Sequence, residues 1–273
     1  MLFLLMSILC SVAIANLLTW FNKDKQINIF YIFAGNYLVA SLFSWTTNKV
    51  PVAEVNWLDL TLGILAGCFF LLNFLIYQRN IIKNGQSLSV GVMRVSLIIP
   101  TLFSILIFAE RLLPHKYIGV FIIILSFVYL SSSGHIKNIF LAAGLFFMTG
   151  ITDSFMKLYD EFGKEEPSLY IAILFTSALI ATFSIIIKRK MPFHMRSLLY
   201  GFLLGIPNQL TTKFFMDSLA SIQAAIAYPL FASGVVLLAI ITDMVLWKRK
   251  FKGKGLVAYG ALLAGIVLLN LSW

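Results

Sequence analysis

Two stretches decide how the chain reads: "WLDLTLGILAGCFFLLNFLIYQR" at 57–79 and "MRSLLYGFLLGIPNQLTTKFFMD" at 195–217. Crossing the hydrocarbon core takes about 20 apolar residues in a helix, and both stretches reach that length. Laid over each other at an offset of 138 positions, Gly63 and Gly67 meet Gly201 and Gly205, and Leu60, Leu65 and Leu72 meet Leu198, Leu203 and Leu210. Leucine matches come easily in so apolar a chain. The paired G-x-x-x-G has a mechanical meaning, because small residues four apart let two helices approach closely in lipid.

Working outward, ten apolar blocks follow one another: 1–21, 28–46, 57–79, 84–109, 116–133, 139–158, 166–187, 195–217, 222–247 and 254–272. The same offset carries 84–109 onto 222–247 and 116–133 onto 254–271, and it sets Arg111 against Arg249. The blocks are too long and too continuous for a lipid-facing barrel. Backbone groups in lipid must be satisfied internally, so each block is read as a helix. An odd number of spans per half turns the second half upside down in the membrane. The expected fold is thus an all-α polytopic membrane protein, ten transmembrane helices in two inverted five-helix repeats, 1–136 and 137–273.

Composition excludes the alternatives. Of 273 residues, 60% are hydrophobic and 12% charged, with 25 Phe. Soluble domains carry about 25% charged residues. That excludes a soluble enzyme, a nucleic-acid binder and a disordered chain. The net charge of +10 sits in short runs between apolar blocks, where lipid head groups and the orientation rule account for it. Cys10 and Cys68 fall inside blocks and read as packing residues, not a disulfide framework. Ala13 and Ala15 give a signal-peptidase-like A-x-A pattern, but no Lys or Arg precedes the apolar run, so the first block is read as a retained span.

Polar groups inside spans are expensive and therefore mark function. Arg94 lies near the middle of block 84–109, on one helical face with Ser87 and Gly91. Its guanidinium needs a carboxylate, carbonyls, water or a substrate anion. Asp153 and Lys157 share a face of block 139–158, either as a boundary ion pair or with Asp153 as a coupling carboxylate. Asn208 and Gln209 follow Pro207, which is expected to kink its helix at the midplane. Tyr228-Pro229 and Pro100 stand in related spans of the two halves, and such interruptions point to a moving, binding core. Asn36 and Asn73 are further amides within spans, with interhelical glue as the alternative role. Asp243 is expected to pair at the interface with the basic run Lys248, Arg249, Lys250.

Enzyme signatures are missing. His115, His135 and His194 lie in short loops without metal spacing, and no H-E-x-x-H, G-x-S-x-G or phosphate-binding Gly loop occurs. Neither an enzymatic activity nor a cofactor is expected.

The stretches "NGQSLSVGVMRVSLIIPTLFSILIFAERL" at 84–112, "GITDSFMKLY" at 150–159 and "GIPNQLTTKFFMDSLASIQAAIAYPLFASGVVLLAIITDMVLWKRK" at 205–250 resemble the drug/metabolite transporter superfamily, EamA-like branch. The resemblance covers the whole chain. It implies a basket of helices around a central cavity, alternating access for small organic solutes, and cavity-lining fourth and ninth spans with help from the first, third, sixth and eighth. Arg94, Asp153, Asn208 and Tyr228 would then lie near the cavity. The acidic residue that closes the fourth span in the family is present as Glu110, while its counterpart in the second repeat is Lys248. The first span lacks the carboxylate that four-span multidrug relatives use. The resemblance also implies cytoplasmic termini. The charge count says the opposite: odd-numbered connections hold 14 Lys and Arg and even-numbered ones 6, which puts the odd connections in the cytoplasm and the termini outside.

The expected function is secondary active transport, by export or exchange, of a small organic metabolite such as an amino acid across the inner or plasma membrane. Substrate-binding candidates are Arg94, Asn208, Gln209, Tyr228, Asn73 and Asn36; coupling or gating candidates are Asp153, Lys157 and Pro229. The expected partners are the solute, a proton or counter-substrate, and membrane lipids. The rival classes are a non-transporting scaffold or lipid-handling subunit and, third, a membrane-embedded transferase.

Overall fold

A computed structural model describes residues 1–48, 50–51, 55–96, 99, 114–132, 136–219, 224–250 and 253–270. Pro100, Glu110 and Arg111 lie outside these residues, as do the side chains of Lys157, Tyr228 and Pro229. Among the described residues all regular structure is helical: α1 (Leu2–Phe21), α2 (Ile29–Thr47), α3 (Trp57–Asn84), α4 (Gln86–Val95), α5 (Pro114–Ser132), α6 (Ile139–Phe162), α7 (Pro167–Lys188), α8 (Met195–Leu219), α9 (Ala224–Val245) and α10 (Gly253–Asn270). The starts are written locally. Asn28, Asn56 and Asn138 each accept a backbone N–H of the first turn, from Phe30, Leu58 and Leu141. Pro167 opens α7, where its missing N–H costs nothing.

Among the described residues four helices, α1, α2, α3 and α7, are long and apolar enough to cross a membrane, and shorter apolar helical stretches cover Ile139–Phe155, Leu230–Val245 and Gly255–Leu268. Large apolar side chains cover the exterior. Phe140 is 88% exposed, Trp57 81% and Ile187 73%. Soluble monomers do not present contiguous apolar surface on this scale. The interior instead holds Asn36, Asn73, Asn80, Gln86 and Ser87, all buried. An apolar exterior around an interior that holds buried amides and hydroxyls fits lipid as solvent, where helices gain little by hiding apolar surface and associate through close packing and hydrogen bonds.

The helices pair in a regular way. α2 packs along α8 and α3 along α7; α1 packs on α8 and α6 on α3; α1 meets α9 and α6 meets α4. α2 also packs with α7, α4 with α9, α5 with α10 and α9 with α10. Glycines permit the closest approaches. A Cβ on Gly201 would lie 2.2 Å from the Ile32 carbonyl oxygen and 2.8 Å from the Gly35 Cα, and one on Gly205 would meet Val39 and the Asn36 carbonyl. On α3, a Cβ on Gly63 would meet Ile173, and one on Gly67 would meet Ser177 and the Leu174 carbonyl of α7. Aromatic side chains fill the seam of α2, α3 and α7, with Phe33 edge-on to Phe74 at 5.7 Å and Phe70 edge-on to Phe175 at 5.6 Å.

Five connections gather at one end. Arg196 pairs with Asp24 at 3.0 Å, and the Lys23 ammonium sits 4.6 Å from the centre of the Trp247 ring. Arg249 lies against Gly85. The Asn84 side chain donates to the Asn138 carbonyl at 2.9 Å and accepts from the Asn138 N–H at 2.8 Å. Thus α1–α2, α3–α4, α5–α6, α7–α8 and α9–α10 all turn at the same end. At the other end Asp59 accepts the Lys164 N–H at 3.0 Å and Ser168 donates to Asn48 at 3.4 Å.

Candidate functional site

The site is built outward from Arg94, which α4 delivers into the bundle. Gly85 ends α3 with φ +99° and ψ 164°, a conformation that only glycine adopts readily, and α4 restarts at Gln86. The free N–H of Ser87 in the first turn of α4 is taken by Asp243 of α9 at 2.8 Å. The Ser87 hydroxyl donates to the same oxygen at 2.5 Å. A carboxylate at a helix N-terminus satisfies an orphan donor and opposes the helix dipole. Two turns further on, Arg94 projects from α4 on the face that also carries Ser87 and Gly91.

Arg94 is met from several helices. Its Nη2 donates to Ser11 Oγ of α1 at 3.0 Å. Its guanidinium carbon lies 4.6 Å from the centre of the Phe231 ring of α9, a cation–π distance, and Phe231 rests against Phe215 of α8 at 4.8 Å. Asp153 of α6 and Tyr77 of α3 are its electrostatic neighbours. Among the described residues its buried Nε has no hydrogen-bond partner. Helices α1 and α9, one from each half of the chain, therefore meet at one guanidinium, with α3 and α6 acting on it through Tyr77 and Asp153.

The other sequence-predicted residues fall into two further groups. Thr149 of α6 donates to Asn73 of α3 at 2.8 Å. That bond lies one helical turn from Tyr77 on α3 and one turn from Asp153 on α6, so it borders the Arg94 cluster. Asn208 of α8 donates to Asn36 of α2 at 3.1 Å, with both residues buried. Gln209 accepts from Ser44 of α2 at 3.4 Å. These bonds stitch the glycine-lined α2–α8 seam, although Asn36 keeps a buried side-chain N–H without a partner. Arg94 and Asp153 thus act on each other through their charges, with Asn73 one turn from Tyr77 along α3, while Asn36, Asn208 and Gln209 form a separate line.

Ser11, Tyr77 and Phe231 are additions that the sequence reading did not single out. They are ordinary side chains on apolar helices, and only the convergence of helices gives them a part. Asp243 differs from expectation in setting. It does approach Arg249, Oδ1 to Nε at 3.7 Å, but it is buried at 1% exposure and spends its other oxygen on α4. Among the described residues no three of His, Cys, Asp and Glu lie close enough to hold a metal ion.

Comparison with known proteins adds a relative and no activity. No protein-family model matches the chain. An uncharacterized protein of Haemophilus influenzae is 27% identical over 270 residues, 90% of each chain. The likeness therefore extends over both halves and their connections.

Proposed function

We propose that the protein is a secondary transporter of the drug/metabolite type, EamA-like, with ten spans in two inverted five-helix repeats of the inner or plasma membrane. It moves a small organic metabolite such as an amino acid, by export or exchange, through alternating access at Arg94. The observation that carries this reading is the guanidinium itself. A permanent charge deep in an apolar bundle is costly, and Arg94 is answered by a neutral hydroxyl, a ring face and the field of Asp153, with Nε left open. A solute carboxylate supplies what Nε lacks, and Asp153 offers a counter-charge for an ammonium or a proton.

The helix spacing supports the repeat. The described starts Leu2, Ile29, Trp57, Gln86 and Pro114 precede Ile139, Pro167, Met195, Ala224 and Gly253 by 137 to 139 residues. Several of the helix contacts are exchanged when each helix is replaced by the one five later: α2–α8 for α3–α7, α1–α8 for α3–α6, and α1–α9 for α4–α6. The glycine seams agree at the level of residues: Gly201 meets residue 35 and Gly63 meets residue 173, related by the same 138. With all odd connections at one end, helices five apart run in opposite directions, as inversion requires. Such an architecture sets a site at the interface of the repeats.

The test is counterflow of labelled amino and organic acids in proteoliposomes. Wild type exchanges at least one of them. Arg94→Ala lowers its initial rate by about tenfold to a hundredfold, the cost of a lost charge-assisted hydrogen bond. Arg94→Lys restores only part of it, since an ammonium lacks the planar fork. Asp153→Asn abolishes dependence on a proton gradient. Unchanged exchange in Arg94→Ala overturns the site assignment.

A further inference from the structure

Around Asp243 lies a polar network that the Arg94 site does not use. It joins α1, α4 and α9 at the end where the odd connections meet. Thr19 of α1 donates to Gln86 Oε1 at 3.0 Å, and Gln86 donates onward to Thr242 at 2.8 Å. Asn16 of α1 donates to the same Thr242 oxygen at 3.3 Å and accepts the Trp247 indole N–H at 2.8 Å. Asp243 holds Ser87, and Arg249 returns over Asp243 and Gly85 through a turn in which Lys248 has φ +50°. Lys23 closes the outside by lying over Trp247.

At the 138-residue offset the network is only partly matched: Asn16, Thr19, Thr242 and Arg249 correspond to Ser154, Lys157, Ser104 and Arg111. Gln86, Ser87, Asp243 and Trp247 correspond to Ala224, Ala225, Ile105 and Ala109. None of those four side chains forms hydrogen bonds. One end of the bundle is therefore fastened by a buried, charge-paired network, in which Asp243 and three of its companions have apolar counterparts in the other half of the sequence.

The geometry points to Asp243 as the positioning residue of a polar latch that closes the pathway at the basic end, with Ser87, Gln86, Thr242 and Trp247 as its partners. The inference rests on the transport reading. In the state described here the latch is made, and α1 and α4 of the first half are tied to α9 of the second. Opening toward the basic end separates α4 from α9, so the Asp243–Ser87 bonds break and the α4 N-terminus must find water. Asp243 itself has no acidic counterpart at the offset, where Ile105 stands. Weakening the latch biases the protein toward opening at the basic end, and Asp243→Ala does so without removing a side chain that touches Arg94.

The experiment uses a single-thiol chain (Cys10→Ala, Cys68→Ala, Ser11→Cys) in proteoliposomes, labelled from each side with a membrane-impermeant sulfonated methanethiosulfonate. Ser11 lies inward of Asn16 on α1, so a thiol there reports entry past the latch. With the latch intact, labelling from the basic-end side is slow. Adding Asp243→Ala raises that rate at least about tenfold, as expected for loss of hydrogen bonds to a buried charge, and leaves the rate from the other side no higher. Asp243→Glu, which keeps the charge, recovers most of the protection, and a purely structural defect would not be recovered in this side-specific way. If Asp243→Ala does not give a folded, monodisperse protein, Trp247→Phe removes one indole N–H and raises the same rate by a few-fold. An unchanged basic-side rate in a folded latch variant, with labelling from the other side intact, overturns the latch and leaves the transport reading standing. A thiol labelled from neither side in any variant overturns the pathway, and the latch falls with it.

Discussion

Gly85 shows how much one residue can hold. Its φ of +99° with ψ 164° is open to glycine and strained for every other residue, and a Cβ would fall 1.3 Å from Arg249 Nη1. The Arg249 side chain is long and could move aside, but only by leaving Asp243. Gly85→Ala is therefore expected to destabilise the protein by about 1–3 kcal/mol through backbone strain alone. Thermal unfolding in detergent measures this. At this scale the sequence was informative where the signal is local. A guanidinium in the middle of an apolar run stands out, and Arg94 meets Ser11 of α1 and Phe231 of α9. Asp243 was legible as a partner of the basic run but not as the cap of α4, because its partner Ser87 is 156 residues away. No local pattern encodes that distance.

At the scale of elements, the glycine seams make a sharper test than the polar bonds. A methyl group on Gly201 has only backbone in its way, the Ile32 carbonyl oxygen at 2.2 Å and the Gly35 Cα at 2.8 Å. Neither can yield, so α2 and α8 must separate. Gly201→Ala is expected to cost about 1–3 kcal/mol, the usual range for overpacking. Gly144→Ala is its control: nothing lies within 4 Å of the added carbon, and alanine is the better helix former, so stability stays level or rises. Equal losses in both variants would remove the seam from the account. Helix existence was legible because each block is long and apolar. Helix ends were not: α3 runs to Asn84 and α6 to Phe162, several residues beyond their apolar blocks. Hydropathy reports where lipid ends, whereas a helix continues into water until its backbone is capped, as Gly85 does for α3. The sequence also suggests a kink at Pro207, and α8 continues as a helix through that proline.

At the scale of the whole molecule, the charge count gains a geometric meaning. The odd connections, which hold 14 Lys and Arg against 6 in the even ones, share one end. The positive-inside rule then puts that end in the cytoplasm and both termini outside. The family resemblance implies the reverse, so labelling decides between them. Gln26→Cys and Lys164→Cys lie 138 residues apart, both exposed and in different connections. An impermeant maleimide applied to intact cells is expected to reach Lys164→Cys and to miss Gln26→Cys. Labelling of Gln26→Cys alone would turn the molecule over and keep the inversion; labelling of both would end it.

The first helix belongs largely to the second half. α1 packs on α8 and α9, Ser7 donates to the Thr211 carbonyl 204 residues later, and Asn16 waits for Trp247, 231 residues later. During synthesis at about 5–20 residues per second, these polar groups emerge roughly 10–40 s before their partners exist. Something else must occupy α1 meanwhile, such as the insertion machinery or a provisional neighbour from its own half. Cutting the gene between residues 136 and 137 would thus yield a first fragment that depends on the second for its own first helix, and the halves should accumulate only when made together.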